Sequence, residues 1–184
     1  MLRQRSGRNA RAVKIRQKGA GLIEVLVAVL VLGIGVLGYA GMQLFALQSA
    51  EEASYRTHAT LIGRDALERF LLNAGWDSWT VYFNAGNWPD KPAVGQADFP
   101  EGCMTSDCQG PELARVDIAQ LAWSAANSLP GGMVMASDDC GGVPSPSCVV
   151  ITWSEMEPAD CLDDYPNIPS SRDYHCVVLE AMRL

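Results

Sequence analysis

Three sets of residues in this chain are of types that could do chemistry: six cysteines, acids gathered in the C-terminal third, and one carboxylate set in a long apolar run. The cysteines are Cys103, Cys108, Cys140, Cys148, Cys161 and Cys176. They could ligate zinc, but no Cys-x-x-Cys occurs and His58 and His175 lie far apart in sequence, so the spacing of a zinc site is missing. An even number confined to one part of the chain fits a disulfide-bonded domain in an oxidising compartment. Many pairings are possible, and the expected one joins neighbours: Cys103 with Cys108, Cys140 with Cys148, and Cys161 with Cys176. Each pair then brackets one loop. The acids Asp138 and Asp139, Glu155 and Glu157, and Asp160, Asp163 and Asp164 could serve hydrolysis or bind calcium. No EF-hand pattern, glycine-rich phosphate loop or Ser-His-Asp arrangement accompanies them. The expectation is a solvated acidic surface, with no metal, no cofactor and no catalysis.

The carboxylate is Glu24, and from Val25 to Ala50 no charged residue follows it. Inserting an isolated acid near the centre of a membrane helix costs about 2.5–3.5 kcal/mol. Such a group is by default functional and needs a partner. The competing reading is a glutamate that snorkels to the cytoplasmic interface, close to the basic residues before it.

The elements around Glu24 follow from charge. Residues 1–19 hold Arg3, Arg5, Arg8, Arg11, Lys14, Arg16 and Lys18 and no acid, whereas the remainder sets seven Lys and Arg against twenty-one Asp and Glu, a balance of −14. Lysine and arginine stay cytoplasmic while a weakly charged apolar segment inserts, so the acidic body is expected outside the cytoplasm. Its charge argues against general nucleic-acid binding, which needs basic groups to displace phosphate counterions. A cleaved secretory signal fits poorly, because the apolar segment continues as helix beyond Ala50. An uncleaved signal anchor explains the charge and the length but leaves Glu24 unexplained.

Tyr55, Ala59, Ile62, Ala66 and Phe70 fall on one helical face, with Thr57, Arg64 and Glu68 opposite. Arg64 with Glu68 and Asp65 with Arg69 stand at i, i+4. One helix is therefore expected from Ala20 to about Asn73, stopped by Gly75. Gly33, Gly35, Gly38 and Gly41 weaken its apolar half or allow close helix packing there.

The N-terminus, a basic leader ending in Gly19 and followed by Ala20-Gly21-Leu22-Ile23-Glu24-Val25, resembles the class III signal of type IV pilins and pseudopilins. The resemblance implies that a prepilin peptidase cuts after Gly19 and methylates the new N-terminus at Ala20, where the family usually has phenylalanine. It also implies that Glu24 meets the N-terminal amine of a neighbouring subunit during filament assembly. Pairing with an ammonium in a low dielectric offsets much of the cost of the buried acid. The domains implied are a leader over 1–19, a pilin helix over 20–74 with its transmembrane part at 20–45, and a periplasmic head over 75–184.

Within the head, residues 76–110 read as a connecting loop anchored by Trp76, Trp79, Tyr82, Phe83, Trp88 and Phe99, with a short strand at 80–83. Pro111 and Glu112 open a helix carrying Leu113, Val116, Leu121 and Trp123 that ends near Leu129. Strands are expected at 132–136, 148–153 and 175–183, the first two as a hairpin, with a long loop over 154–174. The run Asp117-Ile118-Ala119-Gln120-Leu121-Ala122-Trp123, then Leu129-Pro130-Gly131-Gly132 and Thr152-Trp153, resembles the PilV group of minor pilins. Pilins also have a cysteine-bounded region near the C-terminus, which makes 161–176 the segment that would distinguish this subunit.

The expected fold is α+β: a long N-terminal helix, half transmembrane and half amphipathic, packed on a small antiparallel sheet in a disulfide-bonded head. The implied function is that of a minor pilin in pilus assembly or priming, adhesion or twitching motility, and not of an enzyme. Its partners would be the bacterial inner membrane, the prepilin peptidase, major and minor pilins and the assembly platform. It would span the membrane once with a cytoplasmic N-terminus before reaching the cell-surface pilus. A type II secretion pseudopilin shares this architecture, although pseudopilins often use calcium in place of disulfides. A signal-anchored periplasmic enzyme or binding protein is the reading from another class.

Overall fold

The computed structural model of the chain describes residues 19, 21–91, 103, 108–141, 144–169 and 174–181. The first element is a 51-residue helix, α1 (Leu22–Leu72). The chain forms two compact units divided between Ala46 and Leu47. The N-terminal unit holds the apolar stretch of α1, whose leucine, isoleucine and valine side chains are exposed. That stretch is long and apolar enough to cross a membrane. The helix continues through Gly33, Gly35, Gly38 and Gly41 without a break.

The C-terminal unit contains the rest of α1, then α2 (Trp76–Tyr82), a 3₁₀ turn (Ala85–Asn87), α3 (Pro111–Ser128), β1 (Met133–Ser137), β2 (Ser147–Thr152), α4 (Pro158–Asp163) and β3 (Cys176–Ala181). The strands form one antiparallel sheet in the order β1-β2-β3, with Val134 opposite Ile151 and Ile151 opposite Val177. The architecture is the expected α+β arrangement, and each strand lies within two residues of its expected bounds.

The central strand is buried on both faces, and its alternation divides the head into two cores. Val149 and Ile151 point to the larger one, with Val134 and Ala136 of β1 and Val177 and Leu179 of β3. Helix α1 supplies Ala59, Ile62, Ala66 and Phe70 to it, the face expected from periodicity, with Tyr55 half-buried at its margin. Gly63 lies on this face because a Cβ there would come within 2.5 Å of Leu179 and 2.8 Å of Ile151. Cys148 and Val150 point the other way, into a smaller core with Cys140, Cys161 and Cys176. Disulfides join Cys140 to Cys148 and Cys161 to Cys176 around that core, and Cys103 to Cys108 elsewhere.

Four expectations require correction. Residues 76–82 are helix, where a loop and a strand at 80–83 were expected. Trp79, Tyr82 and Phe83 fall at i, i+3 and i+4, and this spacing buries Tyr82 and Phe83 against Phe70, with Trp79 stacked on Phe83, only if the segment coils. Trp88 is buried as an anchor, but Trp76 is 64% exposed, and Phe99 lies outside the described residues. The loop expected over 154–174 contains α4, opened by Pro158 at its first turn and tied by Cys161 to the start of β3. Gly75 does not end α1, which stops at Leu72; it occupies the position before α2 at φ −59°, an angle open to any residue. On α3 the deepest burial belongs to Ala114, Ile118, Leu121 and Ala125, while Leu113, Val116 and Trp123 are half-buried. Alanines dominate there because α3 approaches its neighbours closely. The turn after it is equally tight: Gly131 has φ +62°, and a Cβ on Gly132 would lie 2.2 Å from the Ala125 carbonyl oxygen.

Candidate functional site

Gly19 is exposed in irregular chain, and Ala20 lies outside the described residues. Glu24 stands in the first turn of α1, exposed among apolar neighbours. Its backbone N–H donates to the Gly21 carbonyl at 2.9 Å, and among the described residues nothing pairs with its carboxylate. The first-turn position puts the charge at the positive end of the helix dipole, a contribution of about 0.3–1 kcal/mol in its favour. That offsets only part of the cost of carrying it into lipid.

The head is held together by a polar cluster on α1, α2 and α3. Asp117, 6% exposed, accepts from the Arg69 guanidinium at 2.8 Å and from the Tyr82 hydroxyl at 2.5 Å. Arg69 also donates to Gln120 at 2.8 Å and pairs with Asp65 at 3.1 Å, the i, i+4 contact expected from spacing. Asn73 donates to the Tyr82 oxygen at 3.1 Å and to the Gly110 carbonyl at 2.9 Å, and accepts from Ser78 at 3.0 Å. Burial raises the Tyr82 pKa well above its ordinary value, and the hydrogen bond to Asp117 adds to the shift. Burial opposes the charge on Arg69, but the bonds to Asp65 and Asp117 outweigh it and raise that pKa. The arrangement satisfies a buried carboxylate and joins three helices; it offers no nucleophile and no open coordination position.

A second cluster joins α1 to the sheet within the same unit. Glu52 accepts from the Trp153 indole N–H at 3.3 Å, and its Oε2 lies 3.6 Å from His175 Nε2. Its Oε1 is buried without a hydrogen bond, 3.5 Å from Arg56. Arg56 lies over the Trp153 ring at 5.5 Å and donates to the Tyr174 carbonyl at 3.0 Å.

Apart from the Asp65–Arg69 pair, sequence reasoning missed both clusters. The signal for the first was present, since Asp117 interrupts the apolar face that carries Ala114, Ile118 and Leu121. The second gave no local sign, because Glu52 and Trp153 are 101 residues apart.

Of the clustered acids, Asp139 and Asp164 engage their carboxylates in local bonds. The Ser145 hydroxyl and the Gly141 N–H hold Asp139 below the ordinary carboxylate range. Tyr174 donates to Asp164 and to the Asp160 carbonyl; desolvation and the Asp164 bond push its pKa up to about 12. Tyr165 donates to Glu180, and that bond raises its pKa. Among the described residues no three His, Cys, Asp or Glu side chains are grouped to hold a metal ion.

Residues 14–40 match the family model described as the prokaryotic N-terminal methylation motif. No curated protein and no solved structure matches the chain. The motif thus spans Gly19, Ala20 and Glu24 and extends into the apolar half of α1, and it supports a type IV pilin-like or pseudopilin protein anchored in a membrane.

Proposed function

We propose that this chain is a minor pilin of a type IV pilus. It is made as an inner-membrane precursor with a cytoplasmic N-terminus, cut after Gly19 by a prepilin peptidase and methylated at Ala20. The helix over 20–74 then moves from lipid into the fibre, and the head presents a disulfide-bonded surface outside the membrane. Its partners are the assembly platform and the other major and minor pilins. The observation that carries this reading is Glu24, which has no partner among the described residues and stands at the start of an uncharged run inside a matched methylation motif. Its cation is the amine of a neighbouring subunit, so that helices in the wrong register leave both charges unpaired. The likeness of residues 117–132 to the PilV group supports a minor role, and the three disulfides favour the pilus over a secretion pseudopilus.

Mass spectrometry of the membrane form tests the reading, with the expected species beginning at N-methylated Ala20 and carrying three disulfides. Gly19→Val should leave the basic leader attached, and an N-terminus at Ala20 in that variant would remove the signal assignment. An uncleaved anchor would instead leave the wild-type leader in place. Glu24→Ala should insert into the membrane yet fail to enter fibres. Normal incorporation would deny Glu24 its role in register.

A further inference from the structure

An open hollow of about 610 Å³ in the head takes no part in the clusters described above. Its apolar wall includes Trp79 and Phe83, stacked at 4.0 Å with 22° between ring planes and almost wholly buried. Trp76, one helical turn before Trp79, borders the same hollow with 64% of its surface open to water. Asn84, Asp138 and Ser147 bring polar groups to it. The Asn84 side-chain oxygen accepts from the Gly86 N–H at 3.0 Å, which orients the amide. Among the described residues, no lysine or arginine lines the space.

We propose that this hollow binds an uncharged carbohydrate, a pyranoside whose apolar face stacks on the Trp76 indole while its hydroxyl groups bond Asn84, Asp138 and Ser147. A pyranose presents a C–H face on one side and hydroxyls around its edge. The electron-rich face of an indole attracts polarised C–H groups. Hydroxyls both donate and accept, so they can satisfy a carboxylate that only accepts, an amide that donates, and a serine that does either. The alternatives fit less well. An anion would meet the Asp138 charge with no cation among the described lining residues to offset it, and a wholly apolar ligand would strip water from Asn84 and Asp138 without replacing its hydrogen bonds. The volume suits a small-molecule site, and its openness to water suits the end of a longer glycan. The inference does not rest on the pilin reading, because the hollow lies entirely within the head.

The test uses the full chain in a detergent without a sugar head group, titrated by ligand-observed NMR with methyl glucopyranoside, methyl galactopyranoside and diacetylchitobiose as separate probes. At least one should bind saturably, with a Kd on the order of a millimolar. Trp76→Ala should weaken that binding about fivefold to tenfold, the loss of one stacking contact, in a variant whose melting transition shows the head still folded. Asp138→Ala, at an exposed position, should weaken it as well. The proposal is overturned by the absence of saturable binding for all three probes, or by binding that Trp76→Ala leaves unchanged.

Discussion

Asp117 sits on the buried side of α3, between Ala114 and Ile118, and its two oxygens are divided between a cation and a phenol. Removing it leaves Arg69 partly desolvated and Tyr82 without its acceptor. Asp117→Ala should cost about 2–4 kcal/mol in denaturant unfolding, less than a fully buried pair because Arg69 keeps Asp65 and some water. A cost below that of an ordinary surface change would mean the cluster does not hold the helices together. Tyr82 adds a pH dependence. Its pKa is raised in the folded head, so its contribution is fully present below the unfolded value of about 10 and is lost as the pH climbs above it, where the unfolded chain ionises first. Melting temperatures should therefore fall on the alkaline side. Tyr82→Phe should lessen that fall without abolishing it, since Tyr165 and Tyr174 are shifted in the same direction. An alkaline limb identical in the two proteins would contradict the assignment.

At the scale of the element, α1 serves two settings through two patterns in one helix. Its N-terminal part is apolar on every side, and its C-terminal part confines burial to Ala59, Ile62, Gly63, Ala66 and Phe70. A glycine inside a helix ordinarily gains about 1 kcal/mol when replaced by alanine. Gly63→Ala should do the opposite, because the new methyl would press on Leu179 and on the fully buried Ile151. Overpacking of that kind costs about 1–3 kcal/mol, so a net loss of roughly 1 kcal/mol in urea unfolding is expected. Any gain in stability would show that α1 can move off the sheet. The same reasoning explains why α2 was missed. A seven-residue segment carries too few positions for helical and strand periods to separate, and the burial of Tyr82 and Phe83 against Phe70, with Trp79 stacked on Phe83, settles the choice. Helix α4 is shorter still and has its Cys161 tied to β3.

At the scale of the whole chain, the head is a small domain whose second core is built around two disulfides. Linking Cys161 to Cys176 closes a loop of 15 residues and should contribute about 3 kcal/mol in the chain-entropy model. The Cys103–Cys108 link closes only 5 and lies outside that core. Replacing each pair by alanine and measuring unfolding should therefore give a larger loss for Cys161 and Cys176, and the reverse order would place the head's stability elsewhere. The amino-acid sequence by itself determined the basic character of the first nineteen residues, the uncharged run, the buried face of α1, the bounds of α3 and the three strands. Each of these is written in charge or periodicity over neighbouring residues, and local forces suffice to read it. Which polar groups meet was decided only by the tertiary structure. Arg69 and Asp117 are 48 residues apart, Tyr82 and Asp117 35, and a buried carboxylate takes whichever donors the packing of three helices brings within reach. The two faces of β2 were settled in the same way, because a continuous apolar strand does not reveal which side receives the helices and which the cystines.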